Sequence, residues 1–297
     1  MSGAILLRSV GVFVLISFCA PGIYAQQSPS YFAPQNILRF ADNLYEEGDY
    51  LRAAMEYRRY LSSFSPSEVE AGPILLRIGV CYRLGRSEDR ALTYFQRVAK
   101  EFRDSLLRSE AIIQSSLTWF SLGKYEVSES YLANITFTGE DNQRYQQKKV
   151  VLLCASLLMQ DKWKESLTYL DSSSSSEADP LSASLKSISY KGTRLAHRSP
   201  LVAGFLSAVI PGLGRFYSHR AIDGIYSFFT IGLAGWQAYD GFHKDGFSSF
   251  KGWAFGILGS ILYVGNIYGS AVSVQIYNVR IRQNLYDEVR LIIRSHF

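Results

Sequence analysis

A small residue recurs along the first half of this 297-residue chain at nearly constant intervals of 38, 37 and 38 positions. A large apolar residue follows three positions after each small residue, and a second small residue follows twelve positions after it. A fixed period of this length, with small and large residues in register, is typical of stacked helical hairpins rather than of one closed core. The small residues that start the four units are Ala41, Gly79, Ser116 and Cys154.

Each unit has the pattern of a helix, a short turn and a second helix. In the first unit, apolar residues keep a helical period over residues 37–46 and again over residues 50–61, with Gly48 and Asp49 between them. Small residues at the crossing points let two helix axes approach to about 8 Å. The pattern therefore predicts about four helical hairpins over residues 35–171.

The order of small and aromatic positions resembles the tetratricopeptide repeat (TPR), although the period exceeds the usual 34 residues of that family. The units are also similar to those of bacterial outer-membrane assembly lipoproteins. The resemblance implies an all-α, TPR-like solenoid that binds other proteins. The complete fold prediction is this solenoid followed by a helical transmembrane domain.

The first helix of each unit is expected to line a concave groove. The groove would be polar at units one and two and apolar at units three and four, where Ile113, Leu117, Val151, Ala155 and Leu158 lie. Because an apolar concave face seldom stays exposed, we expect the chain's own next helix, residues 180–198, to cover it. An open apolar partner site is the alternative. The residues predicted to bind a protein partner are Asp42, Tyr45, Glu46, Arg83 and Phe120.

The composition changes sharply after residue 200. Three apolar stretches, residues 201–216, 222–239 and 253–276, predict a membrane domain of two to three helices over residues 201–278. The first stretch is interrupted by Pro211 and reads as a short span or a re-entrant half-helix. We expect three spans, with the basic tail 279–297 on the side opposite the repeats; a two-span hairpin is the alternative. Only seven of the 78 residues are charged: Arg215, Arg220, Asp223, Asp240, Lys244, Asp245 and Lys251.

Two glycine patterns lie within this apolar region. One resembles the TM2 family and related Pro-Gly-x-Gly-x-x-Tyr modules, which are two-helix membrane units, and consists of Pro211, Gly212, Gly214, Arg215, Phe216, Tyr217 and Gly224. The other is a pair of Gly-x-x-x-Gly patches, which permit close helix packing within the chain or between copies in a homo-oligomer. Its residues are Gly252, Gly256, Gly265 and Gly269.

The N-terminus has the features of a secretory signal. Arg8 precedes a short apolar run, and Ala25 ends a small-residue cleavage pattern, so residues 1–25 are predicted to be removed. An uncleaved anchor is the alternative. Residues 26–34 would lead into the repeats, and residues 172–200 would form a Ser-rich joint and a juxtamembrane helix. This organisation predicts a bacterial inner-membrane protein with its repeats in the periplasm.

Charge and motifs argue against several functions. The net charge of +5 comes mostly from residues beside the apolar region and at the C-terminus, which favours membrane flanks over nucleic-acid binding. The four histidines lack metal-ligand spacing, and no catalytic motif appears, so we expect no enzyme activity and no cofactor. The predicted function is a non-catalytic, membrane-anchored scaffold that docks a protein partner. The alternative is a membrane-active protein, in lipid handling or transport, whose glycine-rich region carries the activity.

Overall fold

The computed structural model describes residues 32–64, 66–102, 105–137, 143–173 and 180–297. The predicted signal peptide lies outside these residues. Eight helices form four consecutive antiparallel hairpins, which we call the array. In chain order they are α1 (Pro34–Glu46), α2 (Tyr50–Phe64), α3 (Glu68–Leu84), α4 (Glu88–Glu101), α5 (Ser105–Ser121), α6 (Tyr125–Ala133), α7 (Gln143–Leu158) and α8 (Trp163–Ser172).

The repeating small residues lie where the sequence pattern placed them. Ala41, Ser116 and Cys154 are fully buried at helix crossings. At Gly79 a Cβ would collide with the ring of Phe95, so only glycine permits this approach. The large residues of the same pattern fill the layers between hairpins with almost no exposure: Tyr57, Phe95, Leu132 and Leu170. The prediction of an all-α array of helical hairpins is confirmed.

Each of the four turns within the hairpins contains one residue with a positive, left-handed φ. Gly48 and Gly123 take this conformation in the first and third hairpins, where glycine carries no steric cost. The corresponding residues of the second and fourth hairpins are Arg86 (φ 57°) and Asp161 (φ 63°). Gly85 precedes Arg86 in the turn of the second hairpin and has an ordinary φ of −80°.

A ninth helix, α9 (Pro180–Thr193), stacks on α8 and α7 at the end of the array. Its Leu185 and Ile188 are buried in the core of the last hairpin. Gly192 packs so closely on Trp163 that a Cβ would collide with the indole ring. Since Gly192 follows Cys154 by 38 positions, α9 is the first helix of a fifth, incomplete unit.

The remaining helices form a separate packed group, which we call the apolar module. It comprises α10 (Pro200–Val209), α11 (Leu213–Tyr217), α12 (Ala221–Asp245) and α13 (Phe250–His296). The helix pairs α10/α13 and α12/α13 make its main contacts. Large apolar side chains point outward here: Leu201, Phe205, Ile222, Phe229, Trp236, Ile261 and Val264 are all more than half exposed.

Helix α13 has 47 residues and is about 70 Å long at 1.5 Å per residue. Among the helices of the described residues, it is the one long and apolar enough to cross a membrane. The predicted span 222–239 forms a helix of sufficient length within α12, but Asp223 and Gln237 reduce its apolar character. A bilayer core is about 30 Å thick, so α13 would extend well beyond it.

The C-terminal end of α13 packs against α7 and α9 of the array. The last residues of the chain therefore lie on the same side of the apolar module as the array. The two-span alternative would give this arrangement, whereas the expected three spans placed residues 279–297 on the opposite side; the number of spans stays a prediction. The apolar residues of units three and four share one hydrophobic cluster with Leu185 and Ile188 of α9, as expected, and also with the end of α13, which was not expected.

Candidate functional site

A connected polar network joins α1, α2 and α3 of the first two hairpins. Asp42 on α1 accepts a hydrogen bond from the Tyr57 hydroxyl at 2.5 Å and from Arg77 Nη1 at 2.9 Å. The Arg77 guanidinium also lies over the rings of Tyr45 and Tyr57, at 5.5 and 5.9 Å from their centroids. Burial, and secondarily the bond to Asp42, raises the pKa of the Tyr57 hydroxyl. Asp42 therefore holds three helices together, a role that the groove prediction missed.

Tyr45 and Glu46 lie beside this network at the end of α1. Tyr45 is half-buried and packs edge-on against Tyr50, with ring centroids 5.5 Å apart. Glu46 is exposed, and no ion pair joins it to another residue in the described parts of the chain. Of the predicted groove residues on α1, Glu46 is thus the one most accessible to a partner.

The apolar half of the groove is filled by residues 279–297 of α13, which we call the tail. Leu285, Val289 and Ile293 are buried on one helical face. They join the same hydrophobic cluster as Leu117, Val151 and Leu158, residues that were predicted to line the groove. Burial of a Leu, Val or Ile side chain contributes about 1.5–3 kcal/mol, so these three residues hold the tail firmly.

Polar contacts fix the tail at the turn of the fourth hairpin. Asp161 accepts a hydrogen bond from the Tyr286 hydroxyl at 2.8 Å and pairs with Arg282 at 3.3 Å. The Tyr286 ring stacks on Trp163 at a centroid distance of 6.1 Å. Burial, followed by the bond to Asp161, raises the pKa of Tyr286 to about 12. Lys191 on α9 adds an ion pair to Glu288 at 3.0 Å.

A cleft of about 660 Å³ separates the end of the tail from the second and third hairpins. Arg83 and Phe120, both predicted groove residues, meet in this cleft. Phe120 adds an apolar ring to the lining and contacts Tyr125 edge-on, with ring centroids 5.1 Å apart. Arg83 Nε is buried without a hydrogen-bond partner, and burial lowers the pKa of the Arg83 guanidinium. The opposite wall comes from the tail, through Arg290, Leu291, Arg294 and Phe297.

The glycine pattern at residues 211–224 builds a tight turn in the apolar module. Gly212 has a φ of 88°, and a Cβ there would overlap the carbonyl oxygen of Gly224. A Cβ at Gly214 would overlap the carbonyl oxygen of Ala203. The Phe216 ring packs on Gly224, and the Tyr217 hydroxyl accepts a hydrogen bond from Ser199 N at 3.4 Å. With Pro211 starting the turn, α11 folds back against α10. The interpretation of this segment as a re-entrant half-helix stays a prediction.

The four packing glycines divide between two surfaces. Gly252 lies against Gly241 and Phe242, where a Cβ would collide, and Gly256 makes ordinary contact with Ala238 of α12. Gly269 faces Arg215, whose Nη2 lies 3.1 Å from the position of a Cβ. Gly265 has open space around it. The first patch therefore serves packing within the chain, and a role of Gly265 in a homo-oligomer stays a prediction.

The two described cysteines are buried in the array and form no disulfide. Burial raises the pKa of Cys81 to about 12 and the pKa of Cys154 to about 12. Both thiols therefore stay protonated at neutral pH, which makes them poor nucleophiles. The described residues also contain no group of His, Cys, Asp and Glu arranged to hold a metal ion.

Comparison with protein families matches the tetratricopeptide repeat over residues 74–105, which includes most of α3 and all of α4. The second hairpin is therefore a TPR, the type of repeat that commonly forms a protein-interaction scaffold. Neither a curated protein nor a solved structure matches the chain. The findings support no narrower likeness to outer-membrane lipoproteins or to the TM2 family.

Proposed function

We propose that this protein is a non-catalytic scaffold of the bacterial cell envelope, anchored in the inner membrane, that docks a protein partner on the open part of its TPR groove. The observation that supports this most is the division of the groove. The tail fills the apolar half, while the half formed by α1 and α3 presents Glu46, Tyr45 and the Arg77–Asp42 pair. A partner would bind there and in the adjoining cleft beside Arg83.

The apolar module supports the anchor. Its outward-facing Phe205, Ile222 and Phe229 would be costly in water, since contiguous exposed apolar surface marks a protein or membrane contact. In this proposal α12, whose apolar stretch is less apolar than that of α13, crosses the bilayer packed against α13, so that the array and the tail lie on one side. We place that side in the periplasm, because the predicted signal peptide would export the array.

Charge reversal at the open half tests the docking proposal in the full-length chain. Glu46→Lys and Arg83→Glu reverse charges on first helices, which are expected to line the groove. Glu101→Lys is the control, because Glu101 is exposed on α4, the second helix of its hairpin. Crosslinking in native membranes, followed by mass spectrometry, would identify the bound proteins. We expect a partner that crosslinks to the wild type and to Glu101→Lys but is lost in both groove variants.

The groove proposal fails if every crosslinked protein is retained in both groove variants. Asp42→Arg is a weaker test, because Asp42 also joins α1 to α2 and α3. A loss of partner in that variant could follow from altered packing of the hairpins. Glu46 avoids this ambiguity, since its side chain is exposed at the helix end.

A second candidate function is a membrane activity in lipid handling or transport. It is favoured by the re-entrant turn between α10 and α11, because irregular backbone at membrane depth occurs where it is buried in protein or lines a polar cavity. A phenotype that is lost on substitution in this turn, and kept when Glu46 and Arg83 are reversed, would support it over partner docking.

A further inference from the structure

Two arginines, Arg198 before α10 and Arg215 on α11, lie at different levels along α13. Asn278 on α13 exchanges hydrogen bonds with the backbone of Arg198, at 2.8 and 3.1 Å, where the array meets the apolar module. Arg215 lies at Gly269, nine residues closer to the N-terminus of α13. At 1.5 Å per residue, the two levels differ by roughly 13 Å. Arg215 therefore sits well inside the apolar module.

Arg215 has no counter-ion within the described residues. No carboxylate there lies within 4 Å of it, and its Nε is buried without a hydrogen-bond partner. Its Nη2 instead lies 3.1 Å from the point where a Cβ of Gly269 would stand, so the guanidinium approaches α13 at a residue that has no side chain. An unpaired cation is unfavourable in apolar surroundings, so such residues within apolar helices usually serve a ligand or a pathway.

Arg198 stands at the mouth of the same region and also lacks a carboxylate partner in the described chain. Its guanidinium lies 5.1 Å from the ring centroid of Tyr217 and 4.8 Å from that of Tyr277. Its Nη2 donates to His219 Nε2 at 2.7 Å. Arg220 differs, because Asp223 neutralises it at 2.5 Å. The junction thus holds two cations that no acidic side chain balances.

Helices α10 and α12, which adjoin these two cations in the chain, carry exposed apolar side chains. Leu201 and Phe205 on α10 and Ile222 on α12 are 85%, 70% and 70% exposed. A ligand that satisfies both features has an anionic group for the arginines and a hydrocarbon part for the outward-facing side chains. Basic pockets between membrane helices bind lipid headgroups in this way, and a guanidinium matches a phosphate with paired hydrogen bonds.

We propose that Arg215, with Arg198 at the entrance, binds the phosphate of an anionic phospholipid that enters the re-entrant turn from the bilayer. This inference rests on the proposed membrane anchoring. It assigns a ligand to the glycine pattern at residues 211–224: the close backbone contacts at Gly212, Gly214 and Gly224 fix α11 so that Arg215 reaches α13.

The test uses the full-length protein in phosphatidylcholine nanodiscs, with and without phosphatidylglycerol. Native mass spectrometry counts the phosphatidylglycerol molecules that stay bound after release into a neutral detergent. We expect the wild type to retain phosphatidylglycerol and Arg215→Gln to retain about tenfold less, the loss of one charge-assisted interaction. Arg220→Gln is the matched control and should retain as much as the wild type, since Asp223 already neutralises Arg220.

A second variant and a second ligand distinguish a lipid site from misfolding and from a free-phosphate site. Arg215→Lys keeps the charge and should restore part of the retention, which shows that the Gln variant did not simply misfold. Equal retention by the wild type and Arg215→Gln would overturn the proposal. Inorganic phosphate that raises the melting temperature in pure phosphatidylcholine as much as phosphatidylglycerol does would instead indicate a free-phosphate site and refute the lipid. A protein that fails to enter nanodiscs would disprove the anchoring itself.

Discussion

The array and the apolar module bury opposite kinds of side chain. The array encloses large apolar residues such as Tyr57, Phe95 and Leu132. The module is closed by Gly214, Ser207 and Ser270, with the Ser207 hydroxyl donating to Ser270 at 2.7 Å and accepting from Gly214 N at 2.9 Å. Its large apolar residues lie outside. Water drives apolar groups inward, whereas lipid leaves packing and hydrogen bonds to hold helices together, so this contrast is what the proposed membrane anchoring would require.

The largest effect is expected from adding one methyl group inside the module. In Gly214→Ala, the new Cβ would overlap the carbonyl oxygen of Ala203, a backbone atom that cannot move aside. We expect a loss of more than about 4 kcal/mol, or no folded protein. Thermal unfolding of the purified full-length chain in detergent measures this loss.

Gly232→Ala provides the control, because nothing lies within 4 Å of a Cβ at that position of α12. It should be neutral or more stable by up to about 1 kcal/mol, as alanine favours a helix over glycine. If Gly214→Ala melts at the wild-type temperature, glycine contact is not what closes the module.

The same substitution should have different effects in the two regions. Leu132 of the array is fully buried, so Leu132→Ala should cost about 2–5 kcal/mol of unfolding free energy. Leu233 of the module is 61% exposed, and Leu233→Ala should change stability by less than about 0.5 kcal/mol. Equal losses, measured by denaturant or thermal unfolding, would show that Leu233 is covered by another protein surface.

The tail is where the two regions meet, and a single charge should release it. Val289→Asp would place an unpaired carboxylate among Val151, Leu158 and Ile293, so the tail should leave the groove. Amide exchange in α7 should then increase about tenfold or more. Leu291→Asp is the control, because Leu291 is 67% exposed on the same helix. Unchanged exchange in Val289→Asp would mean that the tail does not stabilise α7.

The array can be predicted well from the sequence because the contacts of each repeat join residues that are close together in the chain. Small residues at Ala41, Gly79, Ser116 and Cys154 each contact a helix of their own or a neighbouring hairpin, so one pattern determines all four units. The fifth small residue, Gly192, continues the interval and could have been found by extending the count. It was missed because α9 has no second helix after it.

The tail could not be predicted in this way. Leu285, Val289 and Ile293 have the spacing of an apolar helix face, but the sequence does not say which surface that face covers, and residues of α7 lie more than 100 positions earlier. The basic residues of the tail suggested a membrane flank. In the structure, Arg282 pairs with Asp161 instead. Charge alone could not reveal this long-range contact, and the membrane-flank interpretation stays a prediction.

The smallest expected effect is a change in the titration of one tyrosine. Because the folded pKa of Tyr286 is about 12 and its ordinary value is 10.0, docking favours the protonated phenol. Its stabilising contribution should be complete below pH 10 and disappear as the pH rises through 12. The difference between the ultraviolet titrations of the wild type and Tyr286→Phe isolates this phenol. In a Val289→Asp background the midpoint should return toward 10, because a released tail leaves Tyr286 in water without Asp161. A midpoint near 10 with the tail intact would instead place Tyr286 outside the junction between array and module.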